Sequence, residues 1–382
     1  MVFKIDGRID SNNAAAWEEK LLKLANENKE GDLVLDANDL SYISSAGLRV
    51  LMKLRKTTGK EFSVINLSPE VYEIFHTTGF TEILDVNKKP REISLEGCEI
   101  IGTGFYGTVY RIDEDTIVKM YDSPDSIAMI KNEKKMAKMA FVKGIPTAIS
   151  FDIVRANGRF GAVFELLNSR SLNDIIIDEP DRLDEITDLF AGFVKEVHQT
   201  VMDPGTLPFA RDHFIEYLET VEELLDDKTV LKCKMLIREL PDDLHVIHGD
   251  FHMKNVMMSD NEPMLIDMDT LSTGQPIFDL QGLYVTYVAF SEDEPDNTSK
   301  FLGLDQNICY HIWDELIRSY FEGADDDRLA EIIDKIKLLA FIRFLHIISL
   351  NQDTESEVGK LRIKHTREHL VELAQRVDNL IL

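Results

Sequence analysis

The residues best suited to chemistry lie in one short stretch, His248-Gly249-Asp250-Phe251-His252-Met253-Lys254-Asn255, followed by Ile266-Asp267-Met268-Asp269. Two acids and an amide sit at short spacing between apolar runs. Phosphoryl transfer needs three such groups. A carboxylate takes or orients the proton of an attacking hydroxyl, and two oxygen ligands hold Mg2+ on the nucleotide phosphates. Asp250 is the candidate base, and Asn255 and Asp267 are the candidate metal ligands. Taken alone, His248-Gly249-Asp250 is equally a polar loop that caps turns. The flanks favour chemistry. Val246-Ile247 reads as a strand leading in, Val256-Met257-Met258 as one leading out, and Met264-Leu265-Ile266 as the strand that returns, so the loop is held rigidly.

Upstream, Ile100 to Tyr110 contains Gly102, Gly104 and Gly107 in a G-x-G-x-x-G pattern between two β-rich runs. Glycines let a hairpin backbone come close to phosphates. A dinucleotide fold requires a helix directly afterwards. Thr108 to Ile112 reads as a strand instead.

HGDFHMKN followed by IDMD resembles the catalytic and metal-binding loops of the aminoglycoside phosphotransferase and choline kinase group, within the protein-kinase-like fold. Gly249 and His252 stand where protein kinases carry Arg and usually Lys, which is the small-molecule kinase version. The resemblance spans roughly the last three quarters of the chain and implies ATP and Mg2+ as cofactors. It also implies transfer to a hydroxyl of a small molecule. It makes Lys119, in the apolar run Thr116 to Tyr121, the phosphate-binding lysine. Glu133, the one acid of the helix expected over about 126–141, becomes its partner; the other reading of Glu133 is a surface charge pair with nearby lysines. Glu165 and Leu167 become hinge positions for the adenine. Asp279 braces the catalytic loop, and His248, His252 and Asp269 support it. His198 is read as structural, because no second His or Cys sits at metal spacing.

A second resemblance covers the first quarter. Leu40 to Leu51, LSYISSAGLRVL, resembles the signature of STAS domains, the family of anti-sigma-factor antagonists. That likeness implies a protein partner and marks Ser45, at a helix N-terminus, as a phosphorylation site. A phosphate there would meet free backbone N–H groups and the positive end of the helix dipole. The plainer reading makes Ser44 and Ser45 helix caps.

These signals predict an α/β STAS-like domain over residues 1–86, a polar linker over 87–92, and an α+β two-lobed kinase-like domain over 93–382. Its β-rich N-lobe would span 93–167 and its helical C-lobe 168–382. In the first domain the expected elements include a strand or hairpin around Gly7, a helix from about Asn13 to Asn28, a helix from Ser45 closed by Gly59, a helix from Ser68-Pro69 ended by Gly79, and a last strand at Ile83-Leu84.

Composition sets outer bounds. The chain has 382 residues, 44% hydrophobic and 29% charged, which suits packed domains rather than disorder. A formal net charge of -27 argues against nucleic acid or an anionic membrane as partner. It suits a cationic acceptor or simple solubility, and the run Glu292, Asp293, Glu294, Asp296 reads the same two ways. Cys98, Cys233 and Cys309 are widely spaced and form no metal or disulfide framework. With neither a signal-like N-terminus nor a long apolar run, the expected location is the cytoplasm. Two other functions fit the same residues: a signalling kinase acting on a STAS serine or another protein, and a nucleotide-sensing pseudokinase.

Overall fold

The computed structural model describes residues 2–27, 33–59, 61–103, 107–123, 126–166, 169–259, 261–350 and 354–382. The chain divides into two compact units: Met1–Gly97 with Asp152–Gly161, and Cys98–Phe151 with Ala162–Leu382.

The first unit alternates strand and helix: β1 (Val2–Ile9), α1 (Ala14–Glu27), β2 (Leu33–Ile43), α2 (Ser45–Thr58), β3 (Phe62–Leu67), α3 (Pro69–Thr77) and β4 (Asp85–Lys88). The strands pair in parallel in the order β1-β2-β3-β4. Period-2 burial places Leu33, Leu35 and Ala37 of β2 in the core beside Val64 of β3. The helix α2 turns Leu48, Leu51 and Leu54 onto the same core, three residues apart along one face. Ser44 caps it, its hydroxyl accepting from the Ala46 N–H at 3.2 Å, and Gly59 ends it in the left-handed region.

Two local expectations change. β1 runs straight through Gly7, whose φ of +63° falls at a shift of register, so the glycine serves a bulge and not a hairpin. After α3 and Gly79, a short 3-10 turn (Phe80–Glu82) occupies the chain, and the last strand begins at Asp85 rather than at Ile83. The stretch 87–92, expected as a linker, holds the end of β4 and all of β5 (Arg91–Glu92), which pairs in parallel with Asp152–Ala156.

In the second unit β6 (Glu99–Thr103), β7 (Gly107–Arg111) and β8 (Thr116–Tyr121) form an antiparallel meander. The helix α4 (Ile127–Val142) follows. In the chain there follow the strand already met at 152–156, here β9, which belongs to the first unit, and β10 (Arg159–Glu165), whose residues from Ala162 on belong to the second. The helical part starts with β11 (Arg170–Ser171), α5 (Leu172–Asp178), α6 (Leu183–Val197), α7 (Ala210–Val221) and α8 (Asp227–Arg238). Four short strands enclose the loops of interest: β12 (Val246–Ile247), β13 (Val256–Ser259), β14 (Glu262–Leu265) and β15 (Ser272–Thr273). The chain closes with α9 (Ile277–Tyr284), a π turn (Val285–Ala289), α10 (Phe290–Glu292), α11 (Asn297–Leu302), α12 (Gln306–Tyr320), α13 (Asp326–Leu350) and α14 (Glu357–Arg376). One apolar core runs from Met136 to Leu380, with Phe190, Phe251, Tyr287 and Phe341 among its largest fully buried side chains. Among the described residues no helix is long and apolar enough to cross a membrane.

Gly47 shows how closely the first core is packed. A Cβ there would lie 2.6 Å from Ile43 Cγ1 and 2.9 Å from the Ile9 carbonyl oxygen, so α2 would have to shift. Gly47→Ala is expected to cost about 1–3 kcal/mol, read as a lower urea midpoint at unchanged m-value.

Candidate active site

Two small antiparallel pairings hold the loop 248–255. β12 pairs with β15 on the way in (Val246 opposite Thr273), and β13 pairs with β14 on the way out (Val256 opposite Leu265). The three strands expected from sequence are therefore present. The loop is pinned from below by Phe251, fully buried against Phe190 and Phe193 with ring centroids 5.7 and 6.2 Å away. Asp250 and His252, on either side, are thereby held to one orientation.

The backbone of the loop is fixed by a buried carboxylate. Asp279 accepts the His248 N–H at 2.8 Å and the Gly249 N–H at 2.7 Å. His198 Nε2 donates to it at 3.0 Å, while the Tyr320 hydroxyl meets His198 Nδ1 at 2.8 Å. Burial alone would raise the Asp279 carboxyl. The His198 hydrogen bond and charge, with the His248 N–H, reverse this and hold it below its usual value. His198 is thus structural. His248 is fully buried, which pushes its imidazole below the usual value. Its Nδ1 accepts the Asp250 N–H at 3.3 Å and its Nε2 donates to the Ile266 carbonyl at 3.2 Å, the pattern of one neutral tautomer.

Gly249 has a φ of +86°, and a Cβ on it would fall 2.8 Å from the Thr270 carbonyl oxygen. A side chain such as the arginine of protein kinases has no room here. Thr270 in turn donates its hydroxyl to the His248 carbonyl at 2.6 Å.

Asp250, half-buried, faces Asn255 Nδ2 at 3.3 Å and His252 Nε2 at 3.5 Å through Oδ2, and Arg343 through Oδ1 at 3.4 Å. Burial pulls its carboxyl up; His252, Arg343 and His248 pull it further down, to well below the usual carboxylate range. Asn255 also donates Nδ2 to the Asp250 carbonyl at 2.9 Å, which leaves Oδ1 as the amide's acceptor. The Ile266 N–H donates to the Asn255 backbone carbonyl at 3.0 Å. Asp267 has a φ of +58°, a left-handed conformation unusual for a non-glycine residue and typical of sites held for function.

Lys119 projects from β8 between the buried Val118 and Met120. Its Nζ lies 3.4 Å from Glu133 Oε1 and also hydrogen-bonds Asp267 Oδ1. Glu133 is buried on α4 and takes a hydrogen bond from the Tyr121 hydroxyl. Burial would lower the lysine; the Asp267 and Glu133 carboxylates outweigh it and hold Lys119 above its usual value. Asp269 is pushed up to about 6, by burial first and then by the charges of Asp267 and Glu133.

The structure therefore brings together Asp250, Asn255 and His252, and separately Lys119, Glu133, Asp267 and Asp269. Gly107 packs where a Cβ would meet the Met120 carbonyl at 2.0 Å, so glycine is required there by β8 itself. At Gly102 a Cβ would make only ordinary contact with Val109. Glu165 ends β10 with its side chain exposed, and the Leu166 N–H next to it bonds the Asp115 carbonyl at 2.7 Å. Gly104 and Leu167 lie outside the described residues. The acidic run is largely spoken for. Glu292 takes the Tyr284 hydroxyl at 3.0 Å, Asp293 pairs with His365 at 2.5 Å, and Glu294 pairs with Lys300 and with Arg362 at 2.8 Å. Sequence reasoning passed over Arg343, Tyr121 and Thr270. Of these, only Tyr121, beside Lys119 in an apolar run, left a local sign.

Asp279→Asn keeps the volume but turns one acceptor towards a donor N–H. It is expected to cost about 1–3 kcal/mol, seen as a lower melting temperature, with slower turnover from the loosened loop.

Comparison with known proteins bears on both units. The STAS domain model matches residues 1–93, and that of the phosphotransferase enzyme family matches residues 97–307. The anti-sigma-B factor antagonist of Bacillus subtilis (strain 168) is 35% identical over 88 residues, 22% of this chain and 79% of that protein. The putative anti-sigma factor antagonist BtrV of Bordetella bronchiseptica is 38% identical over 86 residues, 22% of this chain and 72% of that protein. Among solved structures, the apo form of a thermostable mutant of aminoglycoside phosphotransferase APH(4)-Ia aligns with a TM-score of 0.50 at 11% identity. It covers 74% of this chain and 97% of its own. A variant of it in ternary complex with ADP and hygromycin B gives 0.51 at 11%, covering 73% and 94%. That likeness shows the fold. With the match at 97–307 spanning more than half of its 382 residues, the chain belongs to the phosphotransferase enzyme family and carries a STAS domain ahead of that region.

Proposed function

We propose that the protein transfers the γ-phosphoryl group of ATP to a hydroxyl of a small molecule. The observation that carries this reading is the arrangement of Asp250, Asn255, Asp267 and Lys119, with a buried Glu133 behind the lysine. Lys119, kept charged by its acidic neighbours, binds the nucleotide phosphates. Asn255 Oδ1 and Asp267 offer two hard oxygen donors, the chemistry Mg2+ selects, with phosphates and water completing the shell. Bound there, Mg2+ would neutralise charge on the phosphates. By the resemblance, Gly102 and Gly107 would cover the phosphates and Glu165 would border the base, while Gly104 and Leu167, assigned with them, lie outside the described residues.

Asp250 orients the acceptor hydroxyl. Its depressed carboxyl makes it a weak base in the ground state, so it takes the proton late, as the bond to phosphorus forms. Catalysis here is mostly positioning and charge stabilisation. His248, His252, Asp269 and Asp279 act through the orientation and charge of these groups. Since most of the run 292–294 is already paired, the acceptor is not selected by free acid there.

The test is ADP formation from Mg-ATP with a pooled panel of amino-alcohols, aminoglycosides and sugars. Asp250→Ala is expected to abolish panel-dependent ADP formation, by at least ~1000-fold, while Mg-ADP binding by calorimetry stays within about threefold. Lys119→Ala is expected to weaken both. Near-normal turnover in Asp250→Ala overturns the assignment.

A second reading rests on Ser45. Ser44 takes the capping role of α2, while Ser45 is exposed in the first turn, open to modification. Here the kinase-like unit acts on protein, and the STAS unit binds a partner as anti-sigma-factor antagonists do. Phosphate on Ser45 by mass spectrometry after incubation with Mg-ATP, absent in Asp250→Ala, is the expected result of this reading. No phosphate at Ser45 removes it.

A further inference from the structure

We infer that Arg343, on α13, is the positioning residue that fixes the catalytic aspartate; this rests on the assignment of Asp250 above. Arg343 is 93 residues from Asp250 in sequence and beyond the matched family region. Its side chain is mostly buried and ends against the loop. NH1 donates to the Gly249 carbonyl at 2.8 Å, and NH2 reaches Asp250 Oδ1 at 3.4 Å.

The route to the loop has been left open for it. Gly282 lies on α9 where a Cβ would sit 2.8 Å from Arg343 NH1, so any other residue would push the guanidinium aside. The same helix supplies Asp279, one turn earlier, which accepts the His248 and Gly249 N–H groups. The two peptide units that flank Gly249 are therefore gripped separately. One gives its N–H to Asp279, and the next gives its carbonyl to Arg343. With Gly249 in the left-handed region, those two grips fix the rotations that aim the Asp250 side chain.

The two contacts need a fork. An arginine can place one nitrogen on a carbonyl and the other on a carboxylate, whereas a lysine supplies a single point of charge. Arg343 also faces Asp250 together with His252, so a nitrogen faces each oxygen of the carboxylate: Arg343 at Oδ1, His252 Nε2 at Oδ2. Loss of Arg343 leaves the carboxylate held by its own loop alone.

Four variants of the full chain test this: Arg343→Met, Arg343→Lys, Gly282→Ala and, as a control on the same helix, Lys337→Met. With the acceptor drawn from the panel, Arg343→Met is expected to lose kcat on the order of 10–100-fold, with KM for ATP and Mg-ADP binding within about threefold of the parent. Gly282→Ala, which keeps the arginine but displaces it, should lose kcat in the same way. Arg343→Lys should fall between, and millimolar guanidinium chloride should restore part of the Arg343→Met turnover. Amide exchange over residues 249–251 should quicken in Arg343→Met and Gly282→Ala and stay unchanged in Lys337→Met. A kcat within twofold of the parent in Arg343→Met overturns the inference. So does a parallel loss of nucleotide binding and melting temperature, which marks a role in folding only. If the parent forms no ADP with any acceptor, the phosphotransfer reading fails by itself, and the exchange result still decides whether Arg343 holds the loop: unchanged exchange rules it out.

Discussion

The buried carboxylate of Asp279 is the constraint on which the site depends. An ionised carboxylate in an apolar interior is tolerated only when its oxygens are filled by donors. Here the donors are the His248 and Gly249 N–H groups and His198 Nε2. Two of the three belong to the catalytic loop itself, so the energy that satisfies the charge also sets the loop backbone. His198 is anchored in turn by Tyr320 of α12. The loop thus inherits the rigidity of α6, α9 and α12, and Asp250 can be half-exposed without being free.

A second electrostatic arrangement surrounds Lys119. Lys119 lies between Glu133, on α4, and Asp267, on the loop after β14. Glu133 is buried and braced by Tyr121, so it gives direction, whereas Asp267 is partly exposed and in an uncommon backbone conformation. Gathering Asp267, Asp269 and Glu133 around one lysine leaves an excess of negative charge. Asp269 is raised by its burial first, and the charges of Asp267 and Glu133 add to it. A divalent cation with phosphates would relieve that charge, which supports the metal-nucleotide role proposed for this corner.

What was legible in the sequence follows the range of each interaction. Asp250, Asn255 and Asp267 lie within one short span, bounded by β-forming runs, so their type and spacing expose them. The STAS helix was legible for the same reason: Ser44, the three-residue leucine spacing and Gly59 are all local. Around Gly7 strand and hairpin both stayed open, because a left-handed glycine serves a bulge as well as a hairpin, and only the neighbouring strand decides between them. The acidic run looked free because its partners, Arg362 and His365, arrive from α14 some 70 residues later, at separations of 68 and 72. Arg343 was invisible for a stronger reason. A lone arginine in an otherwise apolar helical run carries no periodic or motif signal, and its two acceptors are a backbone carbonyl and a carboxylate in another part of the chain.

That division of labour has a physical basis. In the proposed reading Asp250, Asn255 and Asp267 share one compact local motif, whereas Lys119 and Glu133 come to it from β8 and α4. The chain after residue 307 adds contacts to two earlier segments. Arg343 grips the Gly249 carbonyl from α13, and Arg362 and His365 pair with the acids of 293–294 from α14. A shift of α13 by a fraction of an ångström would move the guanidinium relative to a carboxylate whose contacts, at 3.3–3.5 Å, are long for charge-assisted hydrogen bonds. Long contacts of this kind leave the carboxylate room to tighten onto a hydroxyl when one arrives. The resting geometry is therefore one of restraint in direction and slack in distance, which is what a late proton acceptor requires.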